Sequence, residues 1–107
     1  MPKYLIQATY TSGGIEGLIT DSAAGRRADV QNAIKALGGK VEAFYYAFGA
    51  DDVVSIVDLP SNVIAAAFSL TTSSSGLVRV RTTPLLTIEE VDQALNEKTH
   101  YRAPGRE

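Results

Sequence analysis

Two apolar stretches, Lys40 to Phe48 and Val53 to Leu59, are separated by only four residues, Gly49-Ala50-Asp51-Asp52. This spacing narrows the possible folds more than any other feature of the chain. Short runs rich in β-branched and aromatic residues are strands, and so short a connection makes them a hairpin, with the glycine taking the turn's awkward backbone angles. A hairpin fixes an antiparallel pair, so the rest of the chain must be arranged around it.

The flanking segments supply the remaining elements. Tyr4 to Thr11 alternates, with Tyr4, Ile6, Ala8 and Tyr10 on one side and Leu5, Gln7, Thr9 and Thr11 on the other. That is a strand, ended by Ser12-Gly13-Gly14. Ile15, Leu18 and Ile19, then Val30, Ala33, Ile34 and Leu37, recur at helical spacing. The expectation is a helix loosened or bent at Ser22-Ala23-Ala24-Gly25 and closed by Gly38-Gly39. After the hairpin, Pro60 stops the strand and Ser61 caps a helix carrying Ile64, Ala67 and Phe68, which ends at Ser73-Ser74-Ser75-Gly76. Leu77 to Thr83 alternates again. Thr87-Ile88-Glu89-Glu90 is a capping box that opens a last short helix with Ile88, Val91 and Leu95 on one face.

Strand, helix, strand, strand, helix, strand is the ferredoxin-like order of an α+β sandwich, βαββαβ, with both helices on one face of an antiparallel sheet and here an added C-terminal helix. Residues 1–97 are read as that domain and 98–107 as a tail. At 107 residues the chain is long enough to bury a core without staples.

Composition removes several function classes. The net charge of -2 offers no field for a phosphate backbone, and no Lys/Arg cluster is interleaved with aromatics, so nucleic acid is not the expected partner. The absence of cysteine removes thiolate nucleophiles, thiolate metal ligands and disulfides together, and suits a reducing cytoplasm. The sequence has no run of the roughly 18 apolar residues a membrane span needs, and no cleavage pattern follows the first strand. The expectation is a cytoplasmic protein that is not membrane-bound.

Helices cover one sheet face only. If water covered the other, its positions should be mostly charged. Yet both alternation sets of the second strand are largely apolar: Val41, Ala43, Tyr45 and Ala47 against Phe44, Tyr46 and Phe48. The third has Val53 and Val57 opposed to Val54 and Ile56. A second copy offering the same face is the expected cover, closing two sheets into a dimeric barrel. The alternative cover is the C-terminal helix folded back over the open face.

The string Ala43-Phe44-Tyr45-Tyr46-Ala47-Phe48-Gly49, followed by Asp52-Val53-Val54 and Val57-Asp58-Leu59-Pro60, resembles the core of GYD-domain proteins. So do Lys3-Tyr4-Leu5, Tyr10-Thr11, Arg26-Arg27, Leu37-Gly38-Gly39-Lys40 and Thr82-Thr83-Pro84-Leu85-Leu86-Thr87. The resemblance implies a ferredoxin-like, dimeric α/β-barrel type of fold and a bacterial protein of unassigned biochemistry. At the naming motif the chain departs: Asp51 stands where the family commonly has tyrosine, so no role for that tyrosine's hydroxyl carries over.

The residues that could carry chemistry each have a plainer reading. Asp51 and Asp52 form either a carboxylate pair at the barrel mouth, able to take a proton or a divalent cation, or turn side chains bonded to amides. Tyr10, Tyr45 and Tyr46 present phenols to a cavity or fill the core. Gln7, Thr9, Ser55, Arg79 and Arg81 form a polar lining if each strand's polar set faces the second layer. Arg26 either forks a ligand carboxylate or pairs with Glu16, Asp21 or Asp29. Glu42 is an edge charge, or a general base if the cavity reaches it. His100, the only histidine, lies in the tail, and histidine-rich or thiolate metal sites within one chain are excluded.

Two functions remain in view. One is a small, partly apolar organic ligand held between sheet and helices, with cofactor-free chemistry as its enzymatic version. For that, Tyr46, Asp52 and Arg81 are the expected catalytic groups, and Gln7, Thr9, Tyr10, Arg26, Glu42, Ser55 and Arg79 the expected ligand contacts. The other is a non-catalytic oligomerisation or ligand-sensing module. No cofactor and no metal is expected, and the partner is a second copy of the chain.

Overall fold

Alternation in four segments produces one four-stranded antiparallel sheet in the computed structural model, which describes residues 1–106. The strands are β1 (Lys3–Tyr10), β2 (Lys40–Tyr46), β3 (Val53–Asp58) and β4 (Val78–Leu85), in the spatial order β2-β3-β1-β4. Helices α1 (Ser12–Asp21) and α2 (Ala23–Ala36) fill the first crossover and α3 (Asn62–Ser74) the second; α4 (Ile88–Asn96) follows β4. This is the ferredoxin-like α+β fold.

Register sets which residues face the helices. Tyr4, Ile6 and Ala8 of β1 pair with Val57, Ser55 and Val53 of β3, and all six are buried. Tyr4, Ile6, Val57, Ile34, Leu59 and Ala65 form the core, with Val30 and Phe68 packed against it. A buried phenol needs a partner, and the Tyr4 hydroxyl donates to Asn62 Oδ1 at 2.6 Å. Asn62 is the first residue of α3, so this bond fixes that helix over β1. Ser61 caps α3, its Oγ accepting from the Ile64 amide.

The first crossover is two helices. Ser22 sits at φ 72°, the only positive φ outside glycine among the described residues, and its Oγ accepts from the Gly25 amide to start α2. A left-handed serine cannot continue a helix, so α1 ends there. Gly38 takes the left-handed angle after α2, as its sequence position predicts. Gly49 does not: its φ lies outside that region and space around it is open, so the β2–β3 turn makes no demand for glycine.

A β-bulge interrupts β2. Val41 pairs with Val57, but Ala43 pairs with Ile56, leaving Glu42 as the extra residue. The faces therefore change phase: Val41, Phe44 and Tyr46 lie on the helix side, and Ala43 and Tyr45 on the open side. The fully apolar look of β2 is thus partly one face seen in two phases. Leu5, Val54, Ile56 and Leu85 still bring apolar surface to the open face.

α4 does not fold back over that face. Every residue from Ile88 to Asn96 is exposed, with Ile88 at 79% and Leu95 at 76%, and the helix has no substantial packing on any other element. The Cα radius of gyration is 17.2 Å and the long axis 59 Å, whereas a compact chain of this length has a radius of about 13 Å.

Candidate functional site

Where β1 ends, the two crossovers diverge and leave a cavity between sheet and helices. Its outer part holds about 360 Å³ and is lined from β1 by Tyr10, from α1 by Gly14 and Gly17, from α2 by Arg26 and Val30, and from α3 by Phe68 and Thr72. An inner recess of about 50 Å³ runs under it to Ile6, Ala8, Phe44, Val53, Ser55 and Val80. Tyr10, Arg26, Val30, Phe68, Thr72 and Val78 line both parts. The outer volume lies within the range that holds small organic ligands, about 300–1,000 Å³.

The wall exists because of its glycines. Glycine inside a helix is unfavourable by about 1 kcal/mol against alanine, so it needs a reason. At Gly14 a Cβ would run into the Leu77 carbonyl, so α1 approaches β4 more closely than any side chain allows. At Gly17 a Cβ would meet nothing within 4 Å. Its empty side is the cavity.

The rim is polar. Arg26 Nη1 lies 3.2 Å from Asp29 Oδ2 and 3.8 Å from Asp21 Oδ2, and both carboxylates line the cavity with it. The arginine is therefore already paired, with two of the three partners its sequence neighbourhood offered, and the trio carries one net negative charge. The Tyr46 hydroxyl donates to the Ala23 carbonyl at 2.9 Å, tying β2 to the start of α2, and its ring stands edge-on to Phe44 at 5.4 Å. Partial burial, with Tyr10 beside it, pushes the Tyr46 phenol above its ordinary range. It is a neutral hydrogen-bonding group at physiological pH.

A second polar cluster occupies the opposite sheet face. Asp51 Oδ2 accepts from Arg81 Nη2 at 2.7 Å and from Gln7 Nε2 at 3.2 Å, while Oδ1 accepts from Thr9 Oγ1 at 3.4 Å. Asp52 turns elsewhere: its Oδ2 accepts from the Tyr10 amide at 2.8 Å and holds the end of β1. The two adjacent carboxylates thus have separate partners. Among the described residues no group of three or more His, Asp or Glu is arranged to hold a metal ion.

The sequence-derived candidates fall into separate places. Tyr10 and Arg26 line the cavity, and Tyr46 lies beside Tyr10 without joining the lining. Gln7, Thr9 and Arg81 share the open face with Asp51, and Arg79 lies beside them, exposed and with no carboxylate within 4 Å among the described residues. Tyr46 and Arg81 stand on opposite faces, with Asp52 at the strand end, so these three do not form one constellation. Ser55 does not join the open-face set: it is 2% exposed, on the helix side, with its Oγ donating to the Ala43 carbonyl at 2.7 Å. It lines the recess instead. Glu42 is the bulge residue, 3.3 Å from Lys3 Nζ, away from the cavity. His100 is exposed in the tail. As cavity residues, Gly17, Phe68 and Thr72 escaped the sequence reading, although two glycines three apart, Gly14 and Gly17, were a visible signal.

No helix among the described residues is long and apolar enough to cross a membrane. Neither a curated protein nor a solved structure matches the chain. A family model described as GYD domain matches residues 4–95, which takes in β1 to β4, the whole cavity wall and most of α4. The chain belongs to the GYD-domain family.

Proposed function

We propose that the chain binds a small, partly apolar organic molecule in the sheet–helix cavity, as one half of a homodimer. The cavity carries the reading: an apolar recess under an outer space of about 360 Å³, with the Tyr10 and Arg26 side chains at the rim. An apolar body would enter between Val30, Phe68 and Val78, and a polar end would meet the Tyr10 phenol and the Arg26 carboxylate pair. Any reaction would draw on the same groups, with Tyr46 as a neutral hydrogen-bonding phenol. The dimer rests on the apolar share of the open face, from Leu5, Val54 and Ile56, which is unusual on a lone domain.

Native mass spectrometry of the protein isolated from its own host tests both parts. A dimer carrying a bound small molecule that dissociates on activation is the expected spectrum. A bare monomer at micromolar concentration would overturn it.

One observation favours a non-catalytic assembly module. The open-face polar groups Gln7, Thr9, Asp51 and Arg81 bond to one another, so this cluster has no unmet polar demand for a ligand. A ligand-free dimer in the same spectrum would favour this second reading.

A further inference from the structure

We infer that α4 is an arm exchanged between two copies, its apolar stripe seated on the open sheet face of the second copy beside β4. The inference rests on the homodimer proposed above and adds the element that fastens it. Ile88, Val91 and Leu95 form one apolar stripe at i, i+3 and i+7, and all three side chains are exposed. A helix of nine residues is marginal in water by itself and takes its stability from packing. Its own chain gives it no substantial packing.

Charge identifies the seat. Between Ile88 and Glu97 the arm carries Glu89, Glu90, Asp92 and Glu97 and no basic residue. Asp92, one turn after Ile88, borders the stripe. The open sheet face presents the opposite pattern: apolar Leu5, Val54 and Ile56, edged by Arg79 and Arg81 on β4. Arg81 is held by Asp51, whereas Arg79 has no carboxylate within 4 Å among the described residues. An acidic, apolar arm and a basic-edged, apolar face on the same chain are complementary to each other. Two copies can therefore make the contact twice about a twofold axis, arm to face and face to arm. In this arrangement Asp92 of each arm meets Arg79 of the other copy.

Sedimentation equilibrium on the full chain and on the V91D/L95D variant tests the arm. The expected result is a dimeric parent and a dissociation constant raised at least about tenfold in the variant, as for loss of buried apolar anchors. Both positions are exposed within the monomer, so its circular dichroism and core melting should persist. A second test uses the cysteine-free background: Asp92→Cys chains mixed with Arg79→Cys chains should oxidise to a disulfide-linked pair containing one of each. A variant dimer as tight as the parent, or no mixed disulfide, overturns the arm and leaves the homodimer standing. A monomeric parent overturns both.

Discussion

The Arg81 guanidinium on β4 and the Asp51 carboxylate in the β2–β3 turn lie 2.7 Å apart, reaching across the end of β1. Gln7 and Thr9, on β1 between them, bond to the same carboxylate. One side chain thus ties the hairpin to both of the other strands.

Replacing Asp51 with alanine should lower stability by about 1–2 kcal/mol: a hydrogen bond to a charged group contributes about 1.5–3, reduced here because the Arg81 side chain is 64% exposed and water screens the pair. Arg81→Ala should cost less than Asp51→Ala, since Gln7 and Thr9 keep the carboxylate bonded. Urea denaturation of the two variants gives the order directly.

Two glycines on one helix should respond with opposite signs. Gly17→Ala removes the helix penalty of glycine without meeting any neighbour and should stabilise by about 0.5–1 kcal/mol. Gly14→Ala drives its Cβ into the Leu77 carbonyl and should destabilise, by about 1–3 kcal/mol as for overpacking. Thermal melts of both suffice. A bulkier Gly17→Leu would fill the outer cavity and should abolish any ligand adduct.

Asp52, in the β2–β3 turn, accepts a hydrogen bond from the Tyr10 amide. Asp52→Asn keeps an oxygen that can accept this bond, whereas Asp52→Ala leaves the amide without its partner. The alanine variant should lose about 1–2 kcal/mol and the asparagine variant less. Hydrogen exchange at the Tyr10 amide should be fastest in Asp52→Ala.

Tyr46 gives a pH signature. Its folded pKa lies above the unfolded value of 10.0, so the folded state keeps its proton longer. Its contribution to stability is full below pH 10 and declines as pH rises through 10 towards the folded pKa, where the unfolded state binds fewer protons. Ultraviolet titration of the folded protein should show a tyrosine ionising above 10, absent in Tyr46→Phe. If Tyr46→Phe leaves the titration curve unchanged, the assignment is wrong.

How much of this was legible in the sequence depended on whether the signal was local. The caps at Ser61 and Thr87 are short-range chemistry, and both stand as the spacing predicts. Strand order followed from alternation and from the hairpin. The bulge at Glu42 was hidden, because one extra residue alters phase without altering composition, and it made β2 look apolar on both sides. Ser55 reads as polar and therefore outward, but a hydroxyl bonded to the Ala43 carbonyl is satisfied inside. Asp51 and Asp52 are neighbours in sequence, yet their carboxylates bond to Arg81 and to the Tyr10 amide respectively, so a pair on paper became two separate anchors. The cavity depended on glycines, whose meaning lies in what approaches them.

The bulge has one more consequence, at the margins of the sheet. β2 and β4 are its two outer strands, and an unpaired edge invites another strand to join. On one side the Glu42 irregularity breaks the even row of donors and acceptors, and on the other Pro84 contributes no amide hydrogen at all. Both margins resist extension into a longer ribbon, so strand-to-strand pairing at an edge is not how a second copy would join.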